Sequence, residues 1–197
     1  MKIVRTDKEL QTPVIDARLR EAGHELILLP DGIAEDKLIE QISDAELILM
    51  CYTPITSRVI EAAKKLKGIV KYGVGIDAID IPAAVEKGIP VVNIPEYAEE
   101  TVAEGAFAML IALAKKMPAI RNTMENNGWA WPEPEWLGSD IAGKTLGIVG
   151  FGKIGKSMAR MANQGFRAKV ISFSPHTDST EMEKFGVIKY SSLTQLL

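Results

Sequence analysis

The stretch most able to do chemistry is Gly150-Phe151-Gly152-Lys153-Ile154-Gly155, whose glycines fall in G-x-G-x-x-G order. An apolar run, Thr145 to Val149, leads straight into it, and Lys156 to Asn163 reads as a helix. Each glycine has a separate physical task. Gly150 permits a tight turn, Gly152 lets the backbone approach a pyrophosphate, and Gly155 lets helix and strand pack closely. The N–H groups of the helix's first turn, reinforced by its dipole, would then face the phosphates. A glycine turn in any packed α/β unit can look the same, so the context decides. Here strand and helix are both present, and a second strand, Lys169–Ser174, ends about twenty residues beyond the last glycine. The pattern predicts dinucleotide binding. Other reactive residues are few: His24, His176 and a single cysteine, Cys51.

The elements that must position this loop alternate. Short apolar segments at Lys2–Arg5, Glu25–Leu29, Ala45–Met50, Gly68–Tyr72 and Pro90–Asn93 read as strands. Helical spacing falls between them, at Pro13–Glu21, Glu35–Ile42, Ile55–Lys65 and Ile81–Lys87. Strands alternating with helices imply a parallel sheet covered on both faces. Glu99–Lys116 is the longest helix candidate, apolar on more than one face and so expected to be packed on several sides. Pro118 ends or kinks it. Asn126–Ser139 reads as irregular, with Trp129, Trp131 and Trp136 either pinning a loop or forming an oligomer contact. Beyond the glycine loop come a helical stretch near Glu181–Phe185, a strand at Gly186–Tyr190, and a helix starting from Ser191 or Ser192.

Bulk composition narrows the classes. The 197 residues, 47% of them apolar and 25% charged, suit a soluble globular protein of one or two domains. A net charge of −3 argues against a nucleic-acid surface. One cysteine allows no internal disulfide and fits a reducing compartment. Met1-Lys2-Ile3-Val4-Arg5 does not resemble a secretion signal, and the apolar run Phe107–Ala114 is far short of the ~18 residues a membrane span needs. A cytoplasmic protein with no membrane partner is the expectation.

Several stretches in one order resemble the NAD-dependent D-2-hydroxyacid dehydrogenases. They are Tyr72-Gly73-Val74-Gly75-Ile76-Asp77, Gly88-Ile89-Pro90-Val91-Val92-Asn93-Ile94-Pro95, Glu100-Thr101-Val102-Ala103-Glu104, and Gly143 through Gly155. The wording Asn93-Ile94-Pro95-Glu96-Tyr97, with Tyr52-Thr53-Pro54-Ile55-Thr56 upstream, is most similar to the branch holding phosphoglycerate dehydrogenase-like enzymes and the C-terminal-binding-protein corepressors. The resemblance implies an α/β fold with parallel sheets. Residues 1–97 would form a flavodoxin-like substrate (lid) domain lacking the family's C-terminal return segment. Residues 98–197 would form the first half of a Rossmann NAD(P)-binding domain, and the active cleft would lie between the two. It implies hydride transfer between a nicotinamide cofactor and a small 2-hydroxy or 2-oxo acid. Tyr52, Val74 and Gly75 would bind substrate, the latter two through backbone amides on its carboxylate. Cofactor contacts would come from Val74, Thr101, Val102, Gly150, Gly152, Lys153, Ile154, Gly155 and Ser174. Without the resemblance, Tyr52, Val74 and Val102 read as ordinary core or loop residues. A homodimer through the Glu99–Lys116 helix and the Trp129–Trp136 loop is also implied.

Two departures stand out. Where the family commonly carries an aspartate on the adenosine ribose, this chain has Ser174, followed by Pro175-His176-Thr177. A serine removes the charge that would repel a 2′-phosphate, which opens the cofactor preference to NADP; NAD remains the leading expectation. The family's catalytic arginine, acidic residue and histidine match nothing in these 197 residues, and neither His24 nor His176 stands at the catalytic position. No metal site is expected. The leading expectation is therefore a truncated dehydrogenase, about the N-terminal two-thirds, inactive alone. The alternative is a non-catalytic NAD(H)-binding or dimerisation module resembling the corepressors. A phosphorylated substrate would call for cations near the lid loops; Lys71 and Arg58 are nearby in sequence, but Cys51–Pro54 offers none.

Overall fold

A computed structural model describes all 197 residues, which divide into two compact units, Met1–Tyr97 and Ala98–Leu197. In the first unit five strands alternate with four helices: β1 (Lys2–Arg5), α1 (Pro13–Glu21), β2 (Glu25–Leu28), α2 (Glu35–Ile42), β3 (Leu47–Met50), α3 (Ser57–Ala62), β4 (Gly68–Lys71), α4 (Ile81–Glu86) and β5 (Val91–Val92). All the strands pair in parallel, in the order β2-β1-β3-β4-β5. The nearly unbroken apolar runs of β1 and β3 follow from a sheet buried on both faces. Val4, Ile48, Met50 and Ile69 from the strands meet Leu38, Ile42, Val59 and Ile60 from α2 and α3 in one core.

Helix boundaries are set by local chemistry. Pro13 starts α1 and Pro82 lies in the first turn of α4, where a missing N–H costs nothing. Thr56 caps α3 by accepting from the Val59 amide, and Asp80 caps α4 by accepting from the Ala83 amide at 3.0 Å. Gly23 and Gly88 follow α1 and α4 with φ of +77° and +65°. α3 is shorter than the expected Ile55–Lys65, because Ile55 exchanges backbone bonds with the Ala78–Asp80 segment instead of entering the helix.

The second unit runs α5 (Glu99–Ala114), α6 (Met117–Asn127), β6 (Thr145–Val149), α7 (Lys153–Arg160), β7 (Lys169–Phe173), α8 (Ser179–Glu183), β8 (Val187–Lys189) and α9 (Leu193–Leu196). Its sheet is parallel in the order β6-β7-β8. Phe107, Ile148, Phe151, Ala159, Val170, Met182 and Val187 form its core. No helix of either unit is long and apolar enough to cross a membrane.

Three expectations are corrected here. The break after α5 comes at Lys116, in the left-handed region at φ +54°, and Pro118 opens a further helix, α6, rather than closing α5. The α5 helix is not packed on several sides within the chain. Only Ala103 and Phe107 are buried, while Met109 and Leu113 are exposed. Trp129 and Trp131 do not pin the following loop: both are exposed and meet edge to face at 6.2 Å, while Trp136 is half-buried. That loop is held by polar contacts instead. Ser139 N–H donates to the Ala114 carbonyl at 2.7 Å, Lys116 Nζ donates to the Glu135 carbonyl at 2.6 Å, and Lys115 pairs with Asp140.

One buried ion pair supports the first sheet. Arg5, 2% exposed, donates to Asp16 at 3.0 Å, to the Leu10 carbonyl at 2.8 Å and to Thr12 Oγ1 at 2.6 Å. Removing one partner strands the other charge, so Asp16→Ala should lower the stability of this unit by about 3 kcal/mol. Replacing both residues by apolar ones of similar volume should cost far less; urea denaturation followed by circular dichroism compares the two.

Candidate functional site

At the carboxyl end of β6 the chain turns through Gly150 at φ +92°, a backbone that side chains rarely adopt. The Gly150 amide donates to the Phe173 carbonyl at 2.8 Å, which ties the turn to the end of β7. Phe151, 1% exposed, plugs the core and meets Phe185 at 5.7 Å, so the loop is anchored by its own first variable residue. Gly152 is extended and caps α7, which begins at Lys153, three residues earlier than its apolar spacing suggests. Gly155 then lies against the strand: a Cβ there would drive into the Gly150 carbonyl oxygen and sit 3.6 Å from Ile148 Cγ2. In front of Gly152 a Cβ would meet nothing within 4 Å.

The amino end of α7 breaks the usual electrostatic rule. It has no side-chain cap and no acidic residue in its first turn, yet it carries Lys153 and Lys156. Lys156 is paired with Glu181, whose carboxyl is held below its ordinary range by that hydrogen bond. The start of α7 thus has first-turn N–H groups free of a side-chain cap and the positive end of the helix dipole, features that favour an anion.

At the end of β7, Ser174 is buried and its hydroxyl lies 3.1 Å from Thr177 Oγ1. Thr177 in turn accepts at its carbonyl from Lys189 Nζ at 2.7 Å. His176 is exposed in this turn. No carboxylate ends the strand. Thr101 and Val102 are exposed in the first turn of α5, beside Glu100. The Glu100 carboxylate accepts from Ser157 Oγ at 2.7 Å and from Arg160 at 2.5 Å, which fixes the start of α5 to α7.

In the first unit the residues of interest gather where the strands end. Past β4, Gly73 has φ +147°, and Val74 and Gly75 lie exposed in the turn. The turn is braced from β5, since Asn93 Nδ2 donates to the Val74 carbonyl at 2.7 Å and Ile94 N–H to the Gly73 carbonyl at 3.0 Å. Past β3, Tyr52 is 74% exposed. The buried side chain of Lys71 connects the two turns: its Nζ donates to the Cys51 carbonyl and lies 5.3 Å from the Tyr52 ring centroid. Its Cε packs where a Gly73 Cβ would be, at 3.2 Å. Of the two cations nearby in sequence, Lys71 thus faces this region. Arg58 instead pairs with Glu35 and Asp36. Tyr52 is raised by the neighbouring Cys51, and burial raises Tyr72, so both phenols stay protonated at neutral pH and carry no negative charge.

Sequence reasoning missed Asp7. It is buried, at φ +56°, and its carboxylate accepts from the amides of Cys51, Tyr52 and Thr53 at 2.8, 3.0 and 3.3 Å. The Thr6 and Thr53 hydroxyls add bonds at 2.7 and 2.9 Å. Burial raises its pKa, but these hydrogen bonds together outweigh it and hold the carboxyl below its ordinary range. No local spacing signals a carboxylate whose backbone partners lie more than forty positions away (|i−j| 44 to 46).

Compared with known proteins, residues 5–190 match the model of the D-isomer specific 2-hydroxyacid dehydrogenase catalytic domain. A D-3-phosphoglycerate dehydrogenase of Methanocaldococcus jannaschii is 34% identical over 179 residues, 90% of this chain. The chain spans about a third of that relative, 33% of its length. D-lactate dehydrogenase from Aquifex aeolicus, solved with NAD and lactic acid, superposes with a TM-score of 0.82 at 26% identity, over 99% of this chain and 57% of that one. An acyclic imino acid reductase in complex with NADPH and D-Arg superposes with a TM-score of 0.80 at 29% identity, over 100% of this chain and 62% of that one. Structural relatives thus bind NAD or NADPH.

Two outcomes follow from this geometry. Gly155→Ala should destabilise the second unit by about 1–3 kcal/mol through overpacking, whereas Gly152→Ala should change stability by a few tenths. Tryptophan fluorescence during denaturation separates them, because all three tryptophans lie in this unit. For Asp7, the depressed pKa means its stabilisation is present above the ordinary aspartate value and is lost as pH falls through the folded one. Acid unfolding of the first unit should therefore steepen below about pH 4. Asp7→Asn should remove that steepening in a pH titration followed by circular dichroism.

Proposed function

The chain belongs to the D-isomer-specific 2-hydroxyacid dehydrogenase family, and from this we propose that it serves NAD(P)-dependent interconversion of a small 2-hydroxy acid and its 2-oxo acid. The observation that carries the reading is the end of α7: an uncapped, lysine-bearing helix start behind Gly152, with open space where a diphosphate would lie. In this reading the backbone of Gly150 and Gly152 and the first turn of Lys153, Ile154 and Gly155 hold the pyrophosphate. Ser174 lies at the adenosine ribose, while Thr101 and Val102 border the nicotinamide. The bound nicotinamide accepts or returns the hydride at the substrate's C2. The Val74 and Gly75 amides hold the substrate carboxylate, and Tyr52 flanks it.

The strand order β2-β1-β3-β4-β5 supports reading residues 1–97 as a flavodoxin-like lid domain, because that order is the flavodoxin one. Residues 98–197 are read as the first half of a Rossmann domain. The step that these residues do not provide for is proton transfer at the substrate hydroxyl. His24 lies beside the amino terminus, 3.4 Å from its nitrogen, and His176 lies in the exposed turn after β7. The phenols of Tyr52 and Tyr72 are raised rather than tuned to neutral pH. We therefore expect the 197-residue chain to bind cofactor without turnover, as a cytoplasmic protein. The exposed Met109, Leu113, Trp129 and Trp131 support a homodimer through α5 and the tryptophan loop. These same features support the second reading, a cofactor-binding or dimerisation module akin to the corepressors.

Calorimetric titration of the chain with NADH and with NADPH tests the reading. With no carboxylate ending β7, the two should bind within about tenfold of each other, a difference of about 1.4 kcal/mol. Absence of heat from both would remove the cofactor assignment.

A further inference from the structure

We propose that Asp7 is a positioning residue for substrate, holding Cys51–Thr53 so that the Tyr52 ring is presented beside the Gly73–Gly75 turn. The inference rests on the carboxylate-binding reading of that turn. Three consecutive amides, those of Cys51, Tyr52 and Thr53, converge on Asp7 Oδ2. Successive N–H groups aimed at one point form a concave anion site, and here the anion is part of the protein. The Thr53 hydroxyl closes on Oδ1 at 2.9 Å. On the opposite side of the same backbone, Lys71 Nζ takes the Cys51 carbonyl. An anion thus grips the N–H side of the loop and a cation its carbonyl side.

Of the three side chains on this gripped backbone, Cys51 and Thr53 are buried and only Tyr52 is exposed. Lys71 carries the restraint onward, since its Nζ lies near the Tyr52 ring and its Cε packs on Gly73. Asp7 itself is buried at 3% exposure, with four donors on Oδ2 and a fifth on Oδ1, so it does not present its carboxylate to a ligand. Its effect on substrate must pass through Tyr52. A residue that only supported the fold would lower stability and leave ligand affinity unchanged.

The test uses the 197-residue chain and oxamate, an unreactive analogue of a 2-oxo acid, with backbone amide shifts as readout. In the parent, oxamate should shift the amides of Tyr52, Val74 and Gly75 together. Asp7→Asn keeps a short side chain that tolerates the left-handed backbone but loses the charge. It should weaken oxamate about tenfold, while the melting temperature changes by a few degrees. Because that variant can fail to fold, Thr53 supplies a second arm: Thr53→Val, without the hydroxyl, should weaken oxamate about threefold, and Thr53→Ser should restore it. Parent-like affinity in folded Asp7→Asn, or equal affinity in the two Thr53 variants, overturns the positioning role. Shifts at Val74 and Gly75 without one at Tyr52 overturn it as well, and leave the carboxylate turn standing. No shift at Val74 or Gly75 in the parent removes the carboxylate turn and this inference with it.

Discussion

The approach of Gly155 to the Gly150 carbonyl is the constraint on which the geometry of the glycine turn depends. No side chain fits between them, so α7 lies directly on the strand it follows. That closeness brings the first-turn amides of α7 to the carboxyl edge of the sheet, where the dipole end and the lysines add to one another. The positive φ at Gly150 and the buried Phe151 hold the chain in this path. Any methyl group at position 155 would lift the helix and turn its amino end away from the edge.

The first unit solves a similar problem by other means. Its loops also lie at the carboxyl edge of a parallel sheet, and side-chain contacts hold them. Side chains instead immobilise backbone: Asp7 takes three amides of the loop after β3, Lys71 takes that loop's carbonyl, and Asn93 takes the carbonyl of Val74. Charged groups are expensive to bury, and the hydrogen bonds of Asp7 and Lys71 offset the loss of water. The outcome is a set of short turns held rigid while Tyr52, Val74 and Gly75 remain exposed.

The α5 helix shows where hydrophobicity alone misleads. Its apolar residues cover more than one face, yet only Ala103 and Phe107 are buried within the chain. Met109 and Leu113, like Trp129 and Trp131, are large apolar residues left exposed within the chain. Polar contacts, from Lys115, Lys116 and Ser139, hold the neighbouring loop in place.

Much of this architecture was legible in the residue order, because its signals are local. The boundaries of α1, α2 and β6 follow from a helix-starting proline, from amphipathic spacing, and from an apolar run meeting a glycine turn. The glycine positions likewise carry their meaning in their spacing, since a loop of six residues samples only its own backbone. The separate helix α6, the early start of α7 and the exposure of α5 depend on how neighbouring elements pack, which spacing does not encode. The roles of Asp7 and Lys71 were beyond sequence reading for a further reason. Each acts on backbone groups of the loop after β3, and backbone amides and carbonyls look alike at every position. Only the parallel sheet, by setting the ends of β1, β3 and β4 side by side, decided which of them those two charges would meet.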